Sequence, residues 1–125
     1  MINNAAGPLV PCSVMDQTDD GWRATLASTL DSVFFGARAA ARVFVRQGTG
    51  GRIINMAASS GVYGIADAAH TAAAKGGVLA ATFSWALELA DHGITVNAVR
   101  AGVESPGSPA RGRACAKRLH RQCGD

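Results

Sequence analysis

Gly51-Arg52-Ile53-Ile54-Asn55-Met56, Ala72-Ala73-Ala74-Lys75-Gly76-Gly77-Val78 and Gly93-Ile94-Thr95-Val96-Asn97-Ala98-Val99 follow one another in the second half of the chain. The first fragment is a short β-branched run bounded by glycines, which predicts a buried strand over 52–56. The second lies in a helical stretch predicted from about Ala68 to Ala90. The third predicts a last strand over 95–99, after the Asp91-His92-Gly93 turn. Strand, helix, strand is the βαβ unit, and such units impose a parallel sheet with right-handed crossovers.

Working outward, Thr18 or Asp19 can cap a helix over 19–46. Its apolar residues Leu26, Leu30, Val33, Phe34, Ala37, Ala41 and Phe44, with Val45 alongside, recur at spacings of three and four. Gly48-Thr49-Gly50-Gly51 ends it. This glycine cluster precedes a strand, whereas a phosphate loop needs strand, glycines and helix N-terminus in that order. It is therefore read as a C-cap and turn. Upstream, Ile2 ends a strand that runs into Asn3-Asn4-Ala5-Ala6-Gly7-Pro8. The helix over 68–90 carries Val78, Leu79, Phe83, Trp85, Leu87 and Leu89 around almost its whole circumference. A helix of that kind is covered on more than one side. One side packs on the sheet, and the other calls for a second layer or another subunit.

Composition narrows the function classes. The 125 residues allow one domain. The sequence pI is about 9.1, but the basic excess is local. Arg111, Arg113, Lys117, Arg118 and Arg121 face only Asp125 within residues 107–125. The preceding residues carry 7 basic and 8 acidic groups. The expected organisation is a folded domain over 1–106 and a basic, disordered tail over 107–125. That tail lacks aromatic residues to stack on bases, so nucleic-acid binding ranks last. Three cysteines without a signal peptide point to a reducing cytoplasm rather than a disulfide framework. Cys115, His120 and Cys123 lack the four-ligand, paired spacing of a zinc site, and no metal is expected. No apolar run approaches the ~20 residues of a membrane helix.

Taken together, these fragments resemble the C-terminal half of a short-chain dehydrogenase/reductase. Asn3-Asn4-Ala5-Ala6-Gly7 looks like the family's Asn-Asn-Ala-Gly turn with one extra alanine. Trp22 sits where the family often has an aromatic early in its fourth helix. Gly51 to Met56 resembles its fifth strand, Ala72 to Val78 its catalytic helix, and Gly93 to Val99 its sixth strand. The resemblance implies a partial Rossmann-like, doubly wound α/β sheet of about three strands and two long helices, without the N-terminal βαβ nucleotide-binding half. It implies NAD or NADP as cofactor, with hydride transfer between nicotinamide and a carbonyl or alcohol.

Carried over residue by residue, the family's catalytic lysine is Lys75. The tyrosine position is Thr71, the serine position Ala58 and the asparagine position Thr29. Ser59, next to Ala58, is the substitute if the loop shifts. An aliphatic hydroxyl is far less acidic than a phenol. Remaining cofactor contacts fall on Asn4, Ala5 and Ala6, on Lys75, and on Ala101, Gly102 and Val103; the glycine fingerprint would lie upstream of Met1. The expected function is thus an oxidoreductase by descent, inactive as it stands. The alternative is a non-enzymatic module that pairs with itself or with a full-length relative through helices 19–46 and 68–90. His70, one helical step off the face of Lys75, is expected to be exposed or capping.

Overall fold

The structure, a computed structural model, describes residues 1–7 and 9–101. Gly102, Val103, the boundary at 106, the tail and the Cys115/His120/Cys123 set lie outside the described residues. The elements run β1 (Ile2–Asn3), α1 (Asp19–Leu26), a π-helical turn (Ala27–Asp31), α2 (Ser32–Gln47), β2 (Gly51–Ala58), α3 (Ser60–Tyr63), α4 (Ala69–Glu88), a 3-10 turn (Ala90–His92) and β3 (Ile94–Ala101).

The three strands form one parallel sheet in the order β1-β2-β3. Ile2 pairs with Ile54, and β2 and β3 pair from Gly51↔Ile94 through Ala58↔Ala101. The expected βαβ unit is therefore present, with strands longer than the β-branched runs alone suggest. Right-handed crossovers that add strands in a single direction return every helix to the same face. The burial pattern follows. Ile53, Asn55, Ala57, Ile94 and Val96 are buried on the helix side. Arg52, Thr95, Asn97 and Val99, which alternate with them, are exposed on the other side.

The core lies between that face and the helices. Ala37 packs with Ile53, Ile94 and Val96, while Val33 packs with Ala57 and Val78. Trp85 touches both groups. The 19–47 segment enters with Thr18 as N-cap, its hydroxyl accepting from Gly21 N–H at 3.1 Å. It leaves through Gly48 in the left-handed region (φ 66°), where a glycine carries no Cβ penalty. Of the apolar stripe expected along it, Val33 and Ala37 are buried, while Phe34 remains 39 % exposed.

Between α1 and α2 the ladder widens by one residue, the N–H of Ser32 reaching the carbonyl of Ala27. The sequence reading took this as plain α-helix. Hydroxyls run along the turn: Thr25 donates to Gly21 O, Ser28 to Thr25 O, and Ser32 to Ser28 O at 2.8 Å. Such back-bonding competes with the regular ladder and loosens it. The 57–67 segment also holds more order than a loop, because α3 packs directly on α4. A Cβ on Gly61 would sit 2.6 Å from the backbone of Gly76 and Lys75.

A buried amide chain ties the layers together. Asn3 Nδ2 donates to Asn55 Oδ1 at 2.8 Å, and Asn55 Nδ2 donates to Thr82 Oγ1 at 2.9 Å. Thr82 Oγ1 in turn donates to Val78 O at 2.7 Å. All three side chains are buried. Replacing Asn55 strands both neighbours without water to compensate. Asn55→Ala should lower unfolding free energy by about 2–4 kcal/mol, measured by equilibrium urea denaturation.

Candidate active site

The carboxyl ends of the parallel strands, where ligands of open α/β sheets bind, bring most of the predicted positions to one edge. Asn4, Ala5 and Ala6 leave β1 and are exposed. Ala58 ends β2, followed by Ser59, whose N–H donates to Ala101 O at 3.3 Å across the end of β3. Thr71 and Lys75 stand on α4 one turn apart, and the helical period puts them on the same face. Thr29 is buried in the π-helical turn, at the point where the helix ladder is interrupted.

Lys75 is the strongest chemical group at this edge. It is half-buried, and its ammonium donates to Met56 O at 2.6 Å. Desolvation lowers its pKa from the usual 10.5, because burial penalises the charged form. Among the described residues its ammonium makes no other hydrogen bond, so two donors are left for a ligand hydroxyl. Neither Thr71 nor Ala58 supplies an acidic proton beside it. Tyr63 does not fill the gap: it sits on α3, 74 % exposed, with the Arg100 guanidinium 5.4 Å over its ring.

These residues fit one end of a dinucleotide. Lys75 and the exposed 4–6 turn suit a ribose. Among the described residues no glycine loop joins a strand end to a helix N-terminus, so none forms a pyrophosphate cradle. The described strands also run in one direction, so no topological switch point lies within them.

Sequence reasoning missed two features. His70, expected at the surface or as a cap, is only 3 % exposed, and its Nδ1 has no hydrogen-bond partner. It belongs to the face shared by Ala74, Val78 and Thr82, the inward side of α4. Counting back in fours from Val78 was the signal that could have found it. The Asn3–Asn55–Thr82 chain was also missed, since three polar residues so far apart give no local pattern. Among the described residues no group of three or more His, Cys, Asp or Glu is placed to hold a metal. No described helix is long and apolar enough to cross a membrane.

The parallel βαβ order, the lysine facing a strand end and the Asn-Asn turn together define the class. The family model described as Enoyl-(Acyl carrier protein) reductase matches residues 1–119. The chain belongs to this family, a branch of the short-chain dehydrogenases/reductases. It is 41 % identical over 103 residues to the Probable 2,4-dienoyl-CoA reductase of Bacillus subtilis (strain 168), covering 82 % of this chain and 40 % of that protein. It is 38 % identical over 104 residues to the NADP-dependent (R)-specific alcohol dehydrogenase of Lentilactobacillus kefiri, covering 82 % of this chain and 41 % of the relative. The crystal structure of acetoin dehydrogenase from Enterobacter cloacae superposes with a TM-score of 0.78 at 37 % identity, over 82 % of this chain and 40 % of the other. The chain thus spans about two fifths of the length of these relatives.

The setting of Lys75 makes a pH prediction. The unfolded chain holds the lysine proton more tightly than the folded one, so stability should rise with pH between the lowered pKa and 10.5. Lys75 and Lys117 are the two lysines of the chain, so carbon NMR of their side chains is readily assigned. Lys75 should titrate lower in the folded chain than in the urea-unfolded chain; coincident titration would contradict the burial argument.

Proposed function

We propose that these residues form the lysine-bearing wall of an NAD(P)-dependent oxidoreductase site, and that the chain as it stands does not turn over. The observation that carries this is the constellation around Lys75: an ammonium with spare donors, flanked by Thr71 and Ala58. When bound, the nicotinamide would supply the hydride. Lys75 would hold a ribose hydroxyl through its free protons and keep positive charge beside the reacting oxygen. Ala101, at the end of β3, would border the site.

The proton step is where the chain falls short. A threonine hydroxyl neither releases nor takes up a proton near neutral pH as readily as a phenol held beside an ammonium. Ala58 offers no hydrogen bond to a substrate oxygen, and Ser59 serves only if the loop moves. Relatives acting on alcohols and acyl-CoA thioesters support a carbonyl or alcohol substrate, and the named NADP-dependent relative supports NADP as one candidate cofactor. The cysteine usage supports a reducing, cytoplasmic setting. The purified chain and its Thr71→Tyr variant should both lack NADH- or NADPH-dependent carbonyl reduction. Calorimetry should find no micromolar binding of either nucleotide. Turnover by either protein, or micromolar binding, would overturn the inactive reading.

A second reading, association with a copy or a relative, rests on the outer helix faces. Phe35, Phe83 and Leu87 are 54 %, 68 % and 82 % exposed. Large apolar side chains grouped on exposed helices mark an interaction surface. Sedimentation velocity should show a dimer or larger species that Leu87→Glu shifts toward monomer. A monodisperse monomer for the unsubstituted chain would remove this reading.

A further inference from the structure

Lys75 is held in a way that suits a neutral nitrogen better than an ammonium. Its side chain makes one hydrogen bond among the described residues, to Met56 O at 2.6 Å. No carboxylate joins it: both ion pairs among the described residues belong to Arg23. The residue is half-buried, and burial penalises its charged form. Ala58 and Thr71 bring only short side chains to this edge. A lysine desolvated in this way is activated as a nucleophile.

The surroundings also select among the products that such an amine can form. An aldehyde gives an imine. The neutral imine has no N–H for Met56 O, and the protonated imine restores the charge that burial penalises. Methylation leaves the charge in place. An amide differs from both: it removes the charge and keeps one N–H, so the bond to Met56 O survives. We infer that Lys75 is a modification site, acylated at Nζ by small activated acyl donors. The cavity of about 540 Å³ between α1 and the start of α4 is lined by His70 and not by Lys75, so the donor arrives from the solvent side of the strand ends.

In the acylation step the lone pair of Nζ attacks the acyl carbon. The N–C bond forms and the bond from that carbon to the leaving group breaks. The leaving group, a phosphate or a thiolate, departs with the electron pair and takes up the proton that the nitrogen releases. No oxidant or reductant is required. The acylated side chain has lost the two donors left for a ligand hydroxyl, so the modification shuts the site proposed above. The acylation itself rests on the setting of Lys75 and not on nicotinamide binding.

The test incubates the full chain with acetyl phosphate, or with the thioester S-acetyl-N-acetylcysteamine, both folded and in guanidinium chloride. Peptide mass spectrometry follows acetylation at position 75. Near neutral pH Lys75 should react about threefold or more faster in the folded chain, since each unit of pKa lowering gives about tenfold more free amine, set against partial burial. At about pH 11 the amine is free in both states, and burial should make the folded chain the slower. Equal or slower reaction of the folded chain near neutral pH with both donors would overturn the inference; faster reaction with one of them supports it and identifies the source. Acetyl-lysine introduced at position 75 during synthesis tests the product separately. Its urea midpoint near neutral pH should match or exceed that of the unmodified chain, and its side-chain N–H should exchange with solvent more slowly than in the unfolded chain. A lowered midpoint, or exchange at the unfolded rate, would show that the amide does not keep the bond to Met56 O and would likewise overturn the inference.

Discussion

The amide of Asn55 is the point on which the described structure turns. It sits in the middle of β2 with no exposure and spends its acceptor on Asn3 and its donor on Thr82. A strand of two residues has few ladder bonds of its own, so β1 depends on this side-chain bond for its place beside β2. The same amide reaches α4 through Thr82, one helical turn after Val78, whose carbonyl closes the chain. A buried amide left unpaired costs far more than a paired one gains. Strand register, turn 4–6 and the height of α4 are thus set together.

That setting governs Lys75. The lysine lies seven residues before Thr82 on α4, so fixing Thr82 against β2 fixes how deep the ammonium enters. It meets Met56 O, one residue past Asn55, and loses enough solvent for its pKa to fall. The contact of Gly61 with the backbone of Lys75 and Gly76 holds α3 and the end of β2 to the same helix. In the proposed site this edge is held as geometry, while neither Thr71 nor Ala58 carries a group that moves a proton as readily as a phenol.

The one-directional strand order has a second consequence. With all helices on one face, residues such as Val99 and Ile2 are left outward on the bare face, 47 % and 64 % exposed. The outer sides of the helices carry Phe83 and Leu87. Both surfaces carry large exposed apolar side chains, which is the physical basis for weighing association beside catalysis.

The chain's own wording determined the parallel βαβ architecture, the capped helix from Thr18 to Gly48, and Lys75 on the face it shares with Thr71. Each of these is carried by residues close in sequence, where periodicity, capping and turn chemistry act locally. The π-helical turn at Thr29 was legible only faintly, in the run Thr25, Ser28 and Ser32. Tertiary packing alone decided that His70 is buried beside a cavity and that Asn3, Asn55 and Thr82 meet. It also decided that the Lys75 ammonium turns toward the backbone of β2. Those outcomes depend on how deep α4 settles against the sheet, a distance set by side chains far apart in the chain that no local pattern encodes.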